Sequence, residues 1–157
     1  MPNKDNIERF KNYAFITPPV MVDNDLSLEL KKTVPYNPEK GWVPVYIFSM
    51  ININLQAVMG SIDLRVGLTE KLRIFGGHIG FDVNEPYRGH RYAARSCRLL
   101  LPFARTLKIN PVLITCAPDN IASRKTIESL GAELVATNEV EIEPGVLRWT
   151  NIYHLEL

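Results

Sequence analysis

Residues 85–105 read EPYRGHRYAARSCRLLLPFAR, and the chemistry sits in the first seven. Arg88, His90 and Arg91 crowd one turn around Gly89, and a helical pattern begins directly after them. The start of a helix leaves backbone N–H groups without intrahelical partners and carries the positive end of the dipole. Arginine and histidine side chains at that point add charged donors, so the stretch suits an anion, and a phosphate in particular. The alternative is a basic surface turn that happens to precede a helix. The stretch lacks the G-x-G-x-x-G dinucleotide fingerprint and the Lys-Ser/Thr of a P-loop, so those classes fall away. Cys97 and Cys116 match neither a metal-ligand spacing nor a disulfide framework, which predicts reduced thiols and no metal.

The elements that must hold this turn follow from periodicity. Leu26, Leu28 and Leu30 alternate with polar residues, which is strand period. Val45 to Ile51 is rich in β-formers, and Val58 to Val66 alternates again, so the two read as a hairpin. Residues 67–75 are a connection, and Ile79, Phe81 and Val83 mark a strand ending at Asn84. The period then changes: Ala93, Cys97, Leu100, Ala104 and Leu107 form one helical face, with Pro102 expected to bend that helix near Arg98. PVLITC is a short apolar run that reads as a buried strand. PDNIASRKTIESLGA reads as a second helix, capped by Asn120 or Asp119 and ended at Gly131. Two strands around Glu143-Pro144-Gly145 close the chain.

This order of elements predicts an α/β fold: a mixed, mostly antiparallel sheet with one right-handed β-α-β crossover and flanking helices. A length of 157 residues suits a single domain, with residues 1–25 as an irregular lead-in. The net charge of +1 argues against a nucleic-acid binder held by counterion release. The polar N-terminus and the lack of a long apolar run predict no membrane association and a cytoplasmic location.

The turn resembles the acyl-CoA loop of the GNAT superfamily of N-acetyltransferases, whose motif is Gln/Arg-x-x-Gly-x-Gly/Ala after the fourth strand of that fold. Here the six residues are Arg88-Gly89-His90-Arg91-Tyr92-Ala93. The first and last match, and Arg91 stands where the inner glycine is expected. DNIASRKTIESLGA resembles the family's next helix, with Asn120 and Ser123 at its polar, cofactor-facing positions. By element order the resemblance covers about residues 43–157. It implies acetyl-CoA as cosubstrate, held by Phe81, Asp82 and Val83 of the preceding strand, by residues 88–93, and by Asn120 and Ser123. It further implies an amine acceptor, a small molecule or a peptide. Many family members carry a tyrosine seven residues after the asparagine, close to the departing thiolate; here that residue is Ile127.

The implied reaction is attack of an amine on a thioester. A lysine-like amine has a pKa of about 10.4, so freeing it at pH 7 costs roughly 4–5 kcal/mol, and a base must take the proton. His78 lies near the position where several family members keep a glutamate base, and its unperturbed pKa of about 6.5 suits the task. It is either that base or a histidine bonded structurally beside Gly76-Gly77. Glu85 is the second candidate base, or a solvated residue at the loop mouth. Asp63 and Arg65 share a strand face and read as a pair. Only PYNPEKGW separates the first strands, too short for the helices that help build the family's acceptor pocket. That predicts an acceptor cleft that is open or completed by a second subunit in a homodimer. The competing reading is a catalytically silent acyl-CoA-binding or protein-interaction domain on the same scaffold.

Overall fold

Alternation of apolar and polar residues gives the main sheet one packed and one open face. The computed structural model describes residues 4–157. In it, Tyr46, Phe48 and Met50 of β3 (Val45–Asn52) and Ile62 and Leu64 of β4 (Ala57–Arg65) are fully buried, while the residues between them are half-buried. β3 and β4 pair antiparallel as the predicted hairpin. β2 (Leu26–Val34) lies beside β3, β5 (Ile79–Val83) lies beside β4, and β1 (Met21–Asp23) forms the far edge.

The packed face is covered by α3 (Tyr92–Thr106), the helix that follows the basic turn. Its buried residues include Cys97, Leu100, Phe103 and Ala104, close to the predicted stripe. The Phe103 ring meets Tyr46 edge-on at 5.0 Å between centroids and Phe48 at 6.4 Å. Side chains of this size bury enough apolar surface to dominate the stability of the layer. Pro102 sits inside the helix, which continues through it to Thr106.

The remaining strands make a second, three-stranded sheet in the order β6-β8-β7, with β6 (Val112–Cys116), β7 (Glu133–Glu143) and β8 (Val146–Leu155). α4 (Ile121–Ser129) joins β6 to β7. The mostly antiparallel strands are thus arranged in two parts: β6 takes β8 as its ladder partner and meets the stretch before β5 in a single Gly77–Ile114 bridge rather than a ladder.

The lead-in expected over residues 1–25 is not irregular throughout. Residues 1–3 lie outside the described part, but Lys4–Phe10 is a helix, α1, and Met21–Asp23 is β1. Phe10 is buried, and its ring fills the space beside Gly67, where a Cβ would sit 2.4 Å from it. The connection over residues 67–75 likewise contains a short helix, α2 (Glu70–Ile74), capped by Thr69 Oγ1, which accepts from the Leu72 N–H. Both helices are too short for periodicity to reveal.

Candidate active site

The site lies along the seam between the two sheets. At one end the seam is closed. The His78 N–H donates to the Leu113 carbonyl (2.7 Å), and the Leu113 N–H donates to His78 Nδ1 (2.9 Å). The Gly76 N–H donates to Thr115 Oγ1 at 2.9 Å, and the backbone at Gly77 is so close to the next strand that a Cβ there would lie 2.5 Å from the Leu113 oxygen. At the other end, β5 and β6 have no ladder between them. A cleft of about 820 Å³ opens there between Phe81–Val83, the start of α3 and the start of α4.

The loop from β5 to α3 is shaped by two left-handed residues. Gly89 has φ +86°, and no atom lies within 4 Å of the place a Cβ would take, so glycine serves the backbone here and not the packing. Arg91, where the resemblance has a glycine, has φ 61° and ψ 23° and occupies the position just before the helix. A left-handed backbone is the physical reason for glycine at that point; arginine adopts it at a cost of about 1–2 kcal/mol. Among the described residues no side chain caps the start of α3, so its first N–H groups face the cleft without a partner from a cap.

The first turn of α3 is fixed from behind. The Tyr92 hydroxyl donates to the Asp25 carboxylate. Arg95 donates from Nε to Asp23 Oδ2 (2.7 Å), and from one terminal nitrogen to the Asp23 carbonyl (2.6 Å) and Asp25 Oδ1 (2.7 Å). Hydrogen bonds from Tyr92 and then Arg95 hold the Asp25 carboxyl below the usual carboxylate range, and the same carboxylate pushes the Tyr92 hydroxyl up. Asn24, between the two aspartates, takes φ 53° to make the turn. Across the cleft, Asn120 caps α4 by accepting from the Ser123 N–H at 3.2 Å.

Of the sequence-predicted residues, Phe81, Asp82, Val83, Arg88, Gly89, Arg91, Tyr92, Ala93, Asn120 and Ser123 all line this cleft. His90 is exposed beside it, and Glu85 sits exposed in the short 3-10 turn leading to it. Arg98 and Lys125 also line it and were missed. Arg98 is two helical turns into α3 and carried no motif; only its basic character could have pointed to it. Among the lining residues, Arg88, Arg91, Arg98 and Lys125 face one carboxylate, Asp82. Arg88 is turned back on β5: its Nε donates to the Val83 carbonyl (2.8 Å) and its terminal nitrogen lies 3.9 Å from Asp82. That ion pair is exposed and therefore weak.

His78, Asp63 and Arg65 lie away from the cleft. His78 is 8% exposed and does not line the cleft. Burial is the main cause that lowers its pKa to about 4, with the charges of Arg73, Arg9 and Arg65 adding to it. Since Nδ1 accepts from Leu113, the ring is neutral with its proton on Nε2, and it fastens β5's approach to β6. Asp63 and Arg65 do not form an ion pair; Arg65 donates to the Gly76 and Gly77 carbonyls at 3.2 and 3.1 Å. Asp63 is left half-buried on the open face, and desolvation raises its carboxyl pKa despite Arg65 nearby. Ile127, at the position of the family's tyrosine, is fully buried in the core.

The sequence matches the Acetyltransferase (GNAT) domain over residues 11–133. The chain belongs to the GNAT acetyltransferase family. A search of curated proteins finds no match. Solved structures share the fold of this family member. A ribosomal L7/L12 alpha-N-protein acetyltransferase in apo form superposes with TM-score 0.66 at 16% identity, over 88% of this chain and 94% of that one. The ribosomal-protein-S5-alanine acetyltransferase from Vibrio fischeri gives 0.60 at 14%, over 71% of this chain and 61% of that one. A microcin C7 self-immunity acetyltransferase, MccE, in complex with acetyl-CoA and AMP gives 0.58 at 20%, over 72% and 61%. The chain thus spans less than two thirds of the latter two. At these identities the likeness is one of fold.

Proposed function

We propose that the chain is an acetyl-CoA-dependent N-acetyltransferase that moves the acetyl group to a primary amine and acts in the cytoplasm. The observation that carries this reading is the start of α3. Its amides are uncapped, they face a cleft lined by Arg88, Arg91, Arg98 and Lys125, and the exposed end of β5 lies alongside. A polyphosphate fits such a place, because the helix dipole and the guanidinium groups both favour negative charge. The cleft is also large enough for an extended ligand.

In this reading the amides of residues 92–94 and the side chain of Arg91 hold the pyrophosphate. Arg88 exchanges its weak contacts with Val83 and Asp82 for a phosphate, which frees the Val83 carbonyl for the pantetheine arm. Asn120 and Ser123 form the facing wall. Acetyl-CoA, once bound, supplies the activated carbonyl. A thiolate with a pKa near 8.5 leaves readily, so the buried Ile127 in place of tyrosine does not preclude transfer. His78 is not assigned to the proton path: its pKa of about 4 and its engaged Nδ1 make it a poor base. Glu85, with a solvent-facing carboxylate at the mouth, accepts the amine's proton through water.

Calorimetry with CoA tests the first half of the proposal, and thiol release from acetyl-CoA in the presence of an amine panel tests the second. Absence of CoA binding by wild type sinks the proposal outright. Tight CoA binding with no thiol release across the panel favours the silent binding domain instead.

A further inference from the structure

β7 and β8 outgrow the sheet they belong to. β6 ends at Cys116, paired with Asn151, so, among the described residues, positions 146–150 of β8 have β7 as their only ladder partner. The two strands continue as a two-stranded ribbon past the end of β6 from which Asn120 enters the cleft. Antiparallel partners share a face, so Glu139 stands beside Trp149, and Glu141 beside Leu147. All four side chains are exposed. The opposite face is not free in the same way, since Val140 and Thr150 are buried.

Charge on this ribbon is one-sided. Between residues 133 and 149 the chain carries Glu133, Glu139, Glu141 and Glu143 against a single cation, Arg148, in a protein whose net charge is +1. None of the four glutamates forms an ion pair among the described residues. The molecule's other tryptophan offers an internal comparison. Trp42, 45% exposed, has the ammonium of Lys40 at 4.6 Å over its ring. Trp149, 56% exposed, has no cation over it among the described residues and a carboxylate as its cross-strand neighbour. An aromatic face flanked by carboxylates is the surface that attracts an ammonium or guanidinium group on an apolar stem. Self-association along the β7 edge sets glutamates against glutamates, which like-charge repulsion opposes.

We propose that the outer face of the β7–β8 ribbon, around Glu139, Glu141, Leu147 and Trp149, docks a lysine-rich segment of a polypeptide acceptor beside the cleft. This rests on the acetyl-transfer reading and names the acceptor class for it. The cofactor's negative charge is drawn to the cationic cleft while the acceptor's positive charge is drawn to the ribbon, so the two substrates are sorted by sign before they meet. Steering of this kind is screened by salt.

The test uses fluorescein-labelled octalysine as probe, followed by anisotropy, on the full chain at low and at 150 mM salt. Wild type is expected to bind saturably and more weakly in salt. Glu139→Gln with Glu141→Gln should weaken binding about tenfold, Trp149→Ala severalfold, and Trp149→Phe less than Trp149→Ala. A control that removes two exposed acids elsewhere, Glu8→Gln with Glu29→Gln, should change binding less than twofold. The proposal is overturned if wild type fails to bind octalysine, or if the control loses as much as the ribbon variant. It is also overturned if light scattering shows a dimer that the ribbon variants dissociate, since a second copy then covers the face. CoA calorimetry on the same proteins keeps the two readings apart: loss of CoA binding in wild type defeats the acetyl-transfer reading, whereas normal CoA binding with unchanged octalysine binding defeats this one alone.

Discussion

The two ends of the seam between the sheets are built on opposite principles. At the closed end the groups bind one another: His78 exchanges two hydrogen bonds with Leu113, Gly76 reaches Thr115, and Gly77 leaves no room for a side chain. At the open end, donors are left over: the first amides of α3 are uncapped, and Arg88 makes only exposed, exchangeable contacts. A buried seam tolerates no unpaired polar group, whereas a ligand site requires them. A histidine close to a reaction centre takes its role from its partners, not from its distance along the chain.

The comparison can be broken most severely at Gly77. Gly77→Ala places a Cβ against backbone at a left-handed residue, φ +63°, and should cost about 4 kcal/mol or more, read as a fall in the urea midpoint. His78→Ala leaves the Leu113 N–H buried and unpaired beside a cavity and should cost about 2–4 kcal/mol. Its turnover should then follow the folded fraction; a well-folded variant with turnover reduced a hundredfold would return His78 to catalysis. The same residue predicts a pH dependence. His78 has a folded pKa of about 4 against about 6.5 unfolded, so the unfolded chain binds the extra proton between those values. Stability should therefore be full above pH 6.5 and fall by about 3 kcal/mol as pH drops to 4, a loss absent from His78→Leu.

The open end answers to gentler changes. Arg88→Ala should weaken CoA binding by about 1.5–3 kcal/mol while leaving the melting temperature unchanged, and unchanged affinity in calorimetry would count against the loop assignment. Arg91→Gly should relieve left-handed strain and stabilise the fold by about 0.5–1 kcal/mol, net of glycine's entropy. CoA affinity should drop and its salt dependence flatten. A rise in affinity instead would mean that the Arg91 side chain only obstructs the phosphate.

Much of this was legible in the residues themselves. The period change after Asn84 marked α3, the apolar run marked β6, and Asn120 with Gly131 framed α4, because each signal is local and longer than one turn. The basic turn could be placed at a helix start for the same reason. What escaped was non-local or short. α1 and α2 are too brief for a pattern, at seven and five residues. The role of His78 depends on Leu113, 35 residues away, and spacing along one strand cannot report that. Asp63 and Arg65 share a face as alternation says, yet Arg65 prefers two carbonyls that the loop at Gly76-Gly77 brings to it. Arg91 looked like a departure from a motif; its φ shows what the motif's glycine is for.

One contact reaches further than the site. Tyr92 and Arg95 at the head of α3 grip Asp23 and Asp25, about 70 residues earlier in the chain. The anion-facing turn is therefore inherited as two separated pieces, one of them in a stretch that carries no recognisable chemistry of its own. Anyone exchanging segments between relatives, to graft a new acceptor preference onto this scaffold, has to move those four residues together. A chimera that takes the helix without its aspartates strands one charge, Arg95, and one that takes the aspartates without the helix strands two.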